Sequence, residues 1–377
     1  MTVAAVTEAA GEPFRFEEVR LDAVRPDEVR VRLVATGVCH TDLSAASGAL
    51  PFPLPGVLGH EGAGVVEEVG DDVTDVRPGD RVLLSFASCG RCRGCASGHP
   101  SACESHQSLN LFGGRRADGS ATVHRASGAL NAHFFGQSSF ATEAIVPARS
   151  VVVLPADTTD DELAVLAPLG CGMQTGAGAV LRVLRPTPGS TLAVTGAGAV
   201  GLAAVMACAL LPGAQDGRVA GVRIVVVDRV PARLELAREL GAHVTVVPDA
   251  DGDFARALLE ATDGRGVDAA IEATGSSAVL EQLVTTLAPR GECAVVGSPP
   301  EGTRASFDIN RLLPGRVIRG VAQGDSDPRS FLPELVAAWR DGRFPLERLQ
   351  RRFPFRSLPD AAAAAASGEV VKPVLVF

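Results

Sequence analysis

A glycine-rich turn between an apolar segment and a helical segment constrains the fold of this chain more than any other feature. Gly196, Gly198 and Gly201 form a G-x-G-x-x-G pattern that follows the strand-like segment 192–195 and opens a helical segment at 199–211. Glycines at these places let a pyrophosphate approach the helix N-terminus, where backbone N–H groups and the helix dipole favour an anion. The context therefore predicts a dinucleotide-binding loop, and a plain glycine-rich turn is the alternative.

The chain beyond residue 190 alternates between apolar strands and helices. The predicted strands are 192–195, 222–227, 244–247, 267–271 and 292–296, and the predicted helices are 199–211, 231–240, 254–261 and 277–287. Parallel strands joined by helical crossovers produce this alternation. It predicts an α/β fold with a doubly wound parallel sheet, the Rossmann arrangement.

Asp228 ends the second predicted strand of this half. A carboxylate at that place accepts hydrogen bonds from the adenosine ribose and repels a 2′-phosphate, so we expect the cofactor to be NAD. Arg229 beside it is a cation that would weaken this preference for NAD over NADP. Asp228 lies 27 residues after Gly201, whereas the usual separation is ~20. We attribute the difference to an inserted loop at 212–221.

The first part of the chain shows strand patterns without intervening helices. Segments 29–34, 63–69 and 81–84 are alternating or apolar, which predicts an all-β first domain. Segment 88–103 is rich in Cys, Gly and Ser without periodicity, which predicts a loop that needs something other than a core to order it. Segment 113–133 is polar and dotted with glycine, which predicts a surface excursion.

Length and charge exclude several classes of protein. A chain of 377 residues exceeds the size of one growing core, so two domains are expected. The 35 Lys and Arg against 44 Asp and Glu give a net charge of −9, which disfavours nucleic acid as a partner. No apolar run approaches the ~20 residues of a membrane helix, and the N-terminus does not resemble a secretory signal. We therefore expect a cytoplasmic protein without a membrane partner.

Four cysteines stand close together in the loop at 88–103. Cys89, Cys92, Cys95 and Cys103 form a C-x2-C-x2-C-x7-C pattern. Four thiolates at these separations can close a tetrahedral zinc site with no open position, which makes such a site structural. An iron–sulfur cluster is the weaker metal alternative, and incidental or redox thiols are the remaining one.

A second set of candidate ligands is scattered. Cys39, His60 and Cys171 could form a Cys2His site whose fourth position is left for water or substrate, a known arrangement of catalytic zinc. Taken one at a time, each of these residues is more often a buried thiol or a hydrogen-bonded histidine. Spacing alone leaves both interpretations open.

Several motifs in a fixed order resemble one known family. They are GVCHTD at 37–42, PGVLGHEG at 55–62, the four-cysteine loop, HFFGQSSF at 133–140, GCG at 170–172, the glycine-rich loop at 196–201 and KPVLVF at 372–377. In these motifs the chain resembles the zinc-containing medium-chain alcohol dehydrogenases, specifically their bacterial aryl-alcohol branch. The chain has no tyrosine, so it lacks the phenol that short-chain and aldo-keto dehydrogenases use as acid–base catalyst.

The resemblance implies an architecture and an activity. It implies a GroES-like β domain at 1–171, a Rossmann domain at 172–324 and a C-terminal return to the first domain at 325–377, with the active site in the cleft between the domains. The activity would be NAD- and zinc-dependent interconversion of a primary alcohol, aromatic or allylic, and its aldehyde. Two zinc ions per chain, one catalytic and one structural, and a homodimer or homotetramer would follow.

The resemblance also assigns roles at the metal. The catalytic zinc would be held by Cys39, His60 and Cys171. Asp42 would orient His60, and Glu61 would lie close enough to exchange onto the metal. Zinc lowers the pKa of an oxygen that it binds, so an alkoxide able to release hydride would form near neutral pH.

Proton transfer and cofactor binding would involve further matched positions. Thr41 would hydrogen-bond the alcohol and pass its proton to the cofactor ribose, and His40 and Lys372 would lie near the cofactor pyrophosphate. Liver-type members carry an imidazole three residues after the relay hydroxyl, where this chain has Ser44. The route by which the proton reaches solvent must therefore differ from that of the liver-type members, and water or His40 is a candidate for the missing group.

The substrate pocket is the least defined part of the site. Four apolar side chains are candidates for its lining, namely Phe86, Leu109, Phe134 and Phe135, although ordinary core packing explains them equally well. Alternative substrates are a terpenol, a polyol or a thiol–formaldehyde adduct. An alternative of another class is a silent NAD-binding regulatory relative, against which the intact Cys39, His60 and Cys171 count.

Overall fold

The computed structural model describes residues 1–214 and 221–377. Most of the inserted loop predicted at 212–221 therefore lies outside the described residues. The chain divides into two compact units. The first comprises Met1–Cys171, Asp327–Val336 and Leu346–Phe377, and the second comprises Gly172–Ser326 and Ala337–Pro345.

The elements are numbered in chain order. The strands are β1 (Thr2–Thr7), β2 (Arg15–Leu21), β3 (Glu28–Gly37), β4 (Gly56–Val57), β5 (Gly62–Val69), β6 (Arg81–Leu84), β7 (Val123–Arg125), β8 (Gly128–Leu130), β9 (Glu143–Pro147), β10 (Val151–Val153), β11 (Thr191–Thr195), β12 (Arg223–Val227), β13 (Val244–Val246), β14 (Val267–Glu272), β15 (Leu287–Val295), β16 (Val317–Gly320), β17 (Gln350–Pro354) and β18 (Lys372–Val376). The α-helices are α1 (His40–Ala46), α2 (Arg93–Ala96), α3 (Asp160–Leu166), α4 (Gly172–Gly178), α5 (Ala199–Cys208), α6 (Pro231–Glu239), α7 (Ala255–Glu260), α8 (Ser277–Thr286), α9 (Pro328–Arg340) and α10 (Leu358–Ser367).

Two mainly antiparallel sheets form the first unit. One has the order β4-β1-β2-β7-β8, and the other has the order β10-β6-β5-β3-β18-β17 with β9 also paired to β3. Strand β3 is central in the second of these sheets because it pairs with β5, β9 and β18, and its alternate residues Val29, Val31 and Leu33 are buried. The intervening Arg30 and Arg32 form ion pairs with glutamates of β5. This period of two is what a strand with one face on a core requires.

The second unit is built on a parallel six-stranded sheet. Its order is β13-β12-β11-β14-β15-β16, and every neighbouring pair is parallel. The strand order reverses between β11 and β14, so the loops after these two strands diverge at the carboxyl edge of the sheet. Ligands of doubly wound sheets bind at such a switch point. The fold class predicted from the strand–helix alternation is confirmed.

Differences from the predicted elements have local causes. Helix α5 ends at Cys208, three residues before the predicted end at Leu211. Strand β15 begins at Leu287, five residues before the predicted start, and its register shifts against β14. A proline and Arg290 with φ +66° interrupt the apolar alternation inside β15, which hides its first half from pattern analysis.

The prediction of an all-β first domain is wrong in part. The first unit also holds the helices α1, α3 and α10. Helix α1 has only seven residues and buries only Asp42 and Ala45, so it has no apolar stripe of helical period. Its N-terminus is held by the Asp42 carboxylate, which accepts the backbone N–H of Cys39 at 2.8 Å.

The segment 113–133 is more than the predicted surface excursion. It contains β7 and β8, whose Val123 and Leu130 are buried. Arg116 is 6% exposed, and its guanidinium donates to Glu28 Oε1 at 2.6 Å and to the Asp22 carboxylate. The polar composition therefore conceals a buried ion pair that fastens this segment to the strands of the first unit.

Among the described residues, no single helix is both long and apolar enough to cross a membrane. One bent pair, 160–170 with 172–184, meets these two criteria only when its two helices are taken together.

Candidate metal centres and cofactor loop

The four-cysteine segment brings its thiols together. It contains helix α2 and a 3-10 turn at Pro100–Ala102 rather than an unstructured loop. The Sγ atoms of Cys89 and Cys95 are 4.0 Å apart, and those of Cys92 and Cys103 are 3.9 Å apart. Zinc–sulfur bonds of 2.3 Å in a tetrahedron place neighbouring sulfurs about 3.8 Å apart. The spacing of the thiols therefore fits a closed tetrahedral ion.

Backbone N–H groups favour the thiolate form of two of the four cysteines, because they lower the pKa of Cys89 and of Cys92. Hydrogen bonds from the N–H groups of Arg91 and Cys92 lower the pKa of Cys89 to about 6. Cys103 lies deeper, and burial raises its pKa to about 12 although the N–H of Cys89 reaches its sulfur at 3.3 Å. N–H···S hydrogen bonds stabilise negative sulfur, which is the form that binds a metal.

The scattered candidates also meet at one point. Cys39, His60, Glu61 and Cys171 each offer a ligand atom, and these atoms all lie within 4.8 Å of one another. Cys39 follows β3, His60 and Glu61 precede β5, and Cys171 follows the 3-10 turn Ala167–Gly170. Two sulfurs, one imidazole nitrogen and a carboxylate are the donor types that zinc prefers. The residues therefore fit a zinc ion as a set.

His60 is oriented by a carboxylate. Its Nδ1 lies 2.8 Å from Asp42 Oδ1, which also accepts the backbone N–H of Gly59 at 3.0 Å. Burial is the largest single effect and opposes the charged ring, but Asp42 and Cys39 together outweigh it and raise the pKa of His60 to about 10. The other ring nitrogen of His60, Nε2, is buried and has no hydrogen-bond partner among the described residues. The nitrogen on the metal side is thus left for a ligand bond.

The two candidate thiolates of this site differ in their ease of ionisation. A hydrogen bond from Cys171 holds the pKa of Cys39 well below its usual range, and the same contact together with burial raises the pKa of Cys171. The Cys39 sulfur also lies 3.7 Å from Thr41 Oγ1. Cys39 therefore ionises more readily than Cys171, and Cys171 would release its proton to solvent when a metal binds.

Glu61 has a buried cation as its partner. The Nζ of Lys372 lies 2.9 Å from Glu61 Oε1 and donates to the Val38 carbonyl at 3.3 Å. Burial raises the pKa of Glu61 to about 7 against the opposing effect of Lys372. The family resemblance predicts Lys372 near a cofactor pyrophosphate, and in the structure its ammonium forms an ion pair with Glu61. The pair is a feature that local sequence patterns do not indicate.

The glycine-rich loop has the shape that a dinucleotide requires. Gly196 has φ +91°, which only glycine adopts readily. A Cβ at Gly201 would lie 1.9 Å from the Gly196 carbonyl oxygen, whereas a Cβ at Gly198 would meet nothing within 4 Å. Gly201 thus allows the tight turn, and Gly198 leaves open space at the N-terminus of α5. Asp228 lies beside this loop, since its Oδ2 accepts the N–H of Ala197 at 2.6 Å.

The remaining candidates lie at different depths. Phe134 and Phe135 are buried against His60, with ring centroids 5.4 and 4.5 Å from the imidazole. Phe86 is buried 5.9 Å from the His106 ring, and Leu109 is half-buried. His40, the first residue of α1, is exposed, and Ser44 is half-buried on the same helix.

Two family models match this chain. The alcohol dehydrogenase GroES-like domain matches residues 25–156, and the zinc-binding dehydrogenase family matches residues 199–338. The first match includes Cys39, His60 and Glu61 of the candidate catalytic metal centre, and the second includes β12 to β16 of the parallel sheet.

Similar proteins match over nearly the full length. A geraniol dehydrogenase from Castellaniella defragrans is 41% identical, with 99% of this chain and 97% of the relative covered. A benzyl alcohol dehydrogenase from Acinetobacter calcoaceticus has a solved structure that is 40% identical, with TM-score 0.92 and coverage of 100% and 99%. A zinc-binding domain alcohol dehydrogenase from Burkholderia ambifaria is 47% identical, with TM-score 0.93 and coverage of 100% and 98%.

Proposed function

We propose, from the premise that this chain belongs to the zinc-binding alcohol dehydrogenases, that it uses NAD to interconvert a primary alcohol, aromatic or allylic, and its aldehyde. The observation that carries the proposal is the convergence of four ligand atoms within 4.8 Å at Cys39, His60, Glu61 and Cys171. Three of these residues suffice to hold a zinc ion with one position left for substrate.

Each side chain at this centre has a separate proposed role. Cys39, His60 and Cys171 would hold the ion, and Glu61 would exchange onto it. A zinc ion, when bound, acts as a Lewis acid that favours ionisation of an alcohol hydroxyl near neutral pH. Asp42 keeps the His60 ring in the orientation that directs Nε2 inward. The Thr41 hydroxyl, which lies 3.7 Å from the Cys39 sulfur, would take the proton of the alcohol first.

The cofactor proposal rests on the second unit. Gly196, Gly198 and Gly201 would admit the pyrophosphate to the N-terminus of α5. Asp228, beside this loop, would accept the ribose hydroxyls and repel a 2′-phosphate, which selects NAD. The nicotinamide ring, when bound, supplies the hydride-accepting chemistry. His40 and Lys372 remain candidate pyrophosphate contacts.

The substrate class is supported by the aromatic surroundings of the metal site and by the similar proteins. Phe134 and Phe135 line His60, and a flat benzylic or allylic chain gains apolar burial against such rings that ethanol cannot. The names of two relatives indicate geraniol and benzyl alcohol as their substrates. A terpenol is therefore the second candidate, because the geraniol dehydrogenase matches this chain as fully as the benzyl alcohol dehydrogenase does.

A substrate panel tests the proposal. Initial rates with NAD are measured for benzyl alcohol, cinnamyl alcohol, geraniol and ethanol. We expect kcat/KM for at least one of the first three to exceed that for ethanol by about a hundredfold or more, which corresponds to roughly 2.7 kcal/mol. Equal kcat/KM values across the panel would remove the substrate class. Absence of NADH formation with every alcohol would instead favour a silent NAD-binding relative.

Assembly, domain roles and location complete the proposal. A homodimer or homotetramer is supported by the edge strand β16, because three large apolar residues in or near it are exposed to solvent, namely Ile309, Leu313 and Val317 at 73%, 74% and 41%.

Residues 1–171 and 325–377 would form the catalytic domain, and residues 172–324 would form the NAD-binding domain. Eight cysteines without a disulfide support a reducing, cytoplasmic location. Light scattering gives the subunit number directly.

A further inference from the structure

Phe135 occupies a backbone conformation that a bulky residue rarely adopts. Its φ is +51° and its ψ is +31°, inside the 3-10 turn Phe134–Gly136. A non-glycine residue in the left-handed region is disfavoured by contact between Cβ and the following carbonyl, and such outliers persist where the surroundings enforce them. The conformation therefore calls for a structural reason at this position.

The surrounding segment is fixed on both sides by hydrogen bonds. The Ser138 hydroxyl donates to the Val57 carbonyl at 2.6 Å and accepts the N–H of Phe134 at 2.9 Å. The buried amide of Gln137 donates to the His60 carbonyl at 2.9 Å and accepts the N–H of Gly62 at 3.0 Å. The segment that carries Phe135 is thus attached to the backbone on either side of the metal-site residues His60 and Glu61.

The result of this arrangement is a stack. The ring of Phe135 lies 4.5 Å from the His60 ring at an interplanar angle of 24°, and Phe134 meets the same imidazole edge-on at 5.4 Å and 85°. The hydrogen bond to Asp42 sets the direction in which Nδ1 points, but a single hydrogen bond does not fix the plane of the ring, which can still rotate about the Nδ1···Oδ1 axis. A parallel ring against one face removes that freedom.

We propose that Phe135 is a positioning residue for the catalytic metal, because its stacked ring fixes the plane of the His60 imidazole and so aims Nε2 at the other ligand atoms. The proposal rests on the zinc site of the proposed function and adds a role to a residue otherwise considered for the substrate pocket. Phe135 is 6% exposed, and the face of its ring that lies 4.5 Å from the His60 ring is closed to a substrate.

The test compares Phe135→Leu with Phe140→Leu and Phe135→Tyr. Leucine at 135 must adopt the same left-handed backbone, so this variant removes the ring without relieving or adding backbone strain. Phe140 lies in the same segment and is also buried, at 0% exposure, but its ring partner is Phe14 at 6.0 Å and not His60. Phe140→Leu therefore reports the general cost of losing a buried ring, and Phe135→Tyr keeps the stack.

The readout is metal binding and not turnover. Zinc released to a chelator is followed over time for each variant, and cobalt(II) is introduced in place of zinc to record its visible absorption bands. We expect Phe135→Leu to bind the catalytic ion about 10- to 100-fold more weakly, the range for loss of a group that supports a ligand, with altered cobalt bands. Phe140→Leu and Phe135→Tyr should match the wild type.

Two outcomes overturn the inference. If Phe135→Leu retains zinc and the cobalt bands of the wild type, with a change in KM alone, the ring serves the substrate and not the ligand. If both leucine variants lose zinc equally, the effect is general packing. Wild-type protein that holds no zinc at this site would overturn the proposed function itself, so the two failures are distinguishable.

Discussion

The ammonium of Lys372 lies 2.9 Å from Oε1 and 3.0 Å from Oε2 of Glu61, and the side chains of both residues are 2% exposed or less. A lone carboxylate this deep would take up a proton, since burial alone raises the pKa of Glu61. Lys372 opposes that shift. The lysine therefore determines whether Glu61 is a charged potential ligand near neutral pH.

Removal of the ammonium should be costly for that reason. We expect Lys372→Met to lower the free energy of unfolding by roughly 3 to 5 kcal/mol, because it leaves the buried Glu61 carboxylate without its cation. The double variant Glu61→Gln/Lys372→Met should recover part of this loss, since a neutral amide needs no counter-ion. Urea unfolding of the wild type, both single variants and the double variant measures the coupling. Strictly additive losses would mean that the two charges do not depend on each other.

Metal content distinguishes the two ligand sets. We expect two zinc ions per chain in the wild type and one in Cys103→Ala, which should also melt at a markedly lower temperature because a structural zinc contributes folding energy directly. Cys39→Ala should lose the other ion, remain folded and be inactive. Elemental analysis measures the zinc content per chain of each variant, and a thermal melt measures its melting temperature.

The control for these cysteine variants is Cys208→Ala. Cys208 is buried in α5, its sulfur donates to the Ala204 carbonyl of the same helix, and it belongs to neither ligand set, so this variant should keep both ions. A single zinc ion in fully active wild-type protein would refute the two-site interpretation.

The stability of the fold should depend on pH through His133. This imidazole is 5% exposed, its Nδ1 has no hydrogen-bond partner among the described residues, and burial lowers its pKa to about 4 from 6.5, although Glu28 opposes this shift. As the pH falls below 6.5 the unfolded chain binds a proton that the folded chain refuses, so the free energy of unfolding decreases towards pH 4. Between pH 7 and pH 5 the loss should be about 2 kcal/mol.

His133→Leu isolates this contribution, because leucine is apolar and does not titrate. Urea unfolding at pH 7 and pH 5 should show a decrease for the variant that is smaller by about 2 kcal/mol than for the wild type. Loss of metal in acid affects both proteins alike and cancels in the difference. Identical decreases in the two proteins would show that His133 titrates normally in the fold.

Local spacing predicts some parts of this molecule and cannot predict others. The sequence predicts the four-cysteine site because its candidate ligands are separated by only a few residues within one loop. It predicts the elements from β11 to β14 because each strand and helix has its own periodicity. Nothing local links Glu61 to Lys372, which meet because β18 pairs with β3 and places Val374 opposite Gly37. The stack of Phe135 on His60 depends in the same way on long-range backbone pairing, which places Ser139 against Gly59.

Cofactor choice is expected to follow the charge at position 228. Asp228→Asn keeps the size of the side chain but removes the charge that repels a 2′-phosphate, and Asp228→Gly removes the acceptor as well. We expect both variants to lower the ratio of kcat/KM for NAD to that for NADP, with the larger fall in Asp228→Gly. Since Oδ2 also accepts the Ala197 N–H, a melting curve for each variant checks that the loop stays folded. An unchanged ratio would show that another group reads the ribose.

The proton path is tested most directly at Thr41, whose hydroxyl lies 3.7 Å from the Cys39 sulfur. Thr41→Val replaces the hydroxyl by a methyl group of similar size, so the packing of α1 is kept while the proposed acceptor of the alcohol proton is lost. We expect kcat to fall by about 10²- to 10⁴-fold, the usual contribution of a positioned acid–base group, for benzyl alcohol and ethanol alike. Thr41→Ser retains a hydroxyl and should keep kcat within about tenfold of the wild type.

Zinc content serves as the control for the two Thr41 variants, because Thr41 is not a proposed zinc ligand and both variants should retain two ions per chain. A Thr41→Val enzyme with wild-type kcat and full zinc content would assign the first proton transfer to another group, such as an ordered water molecule.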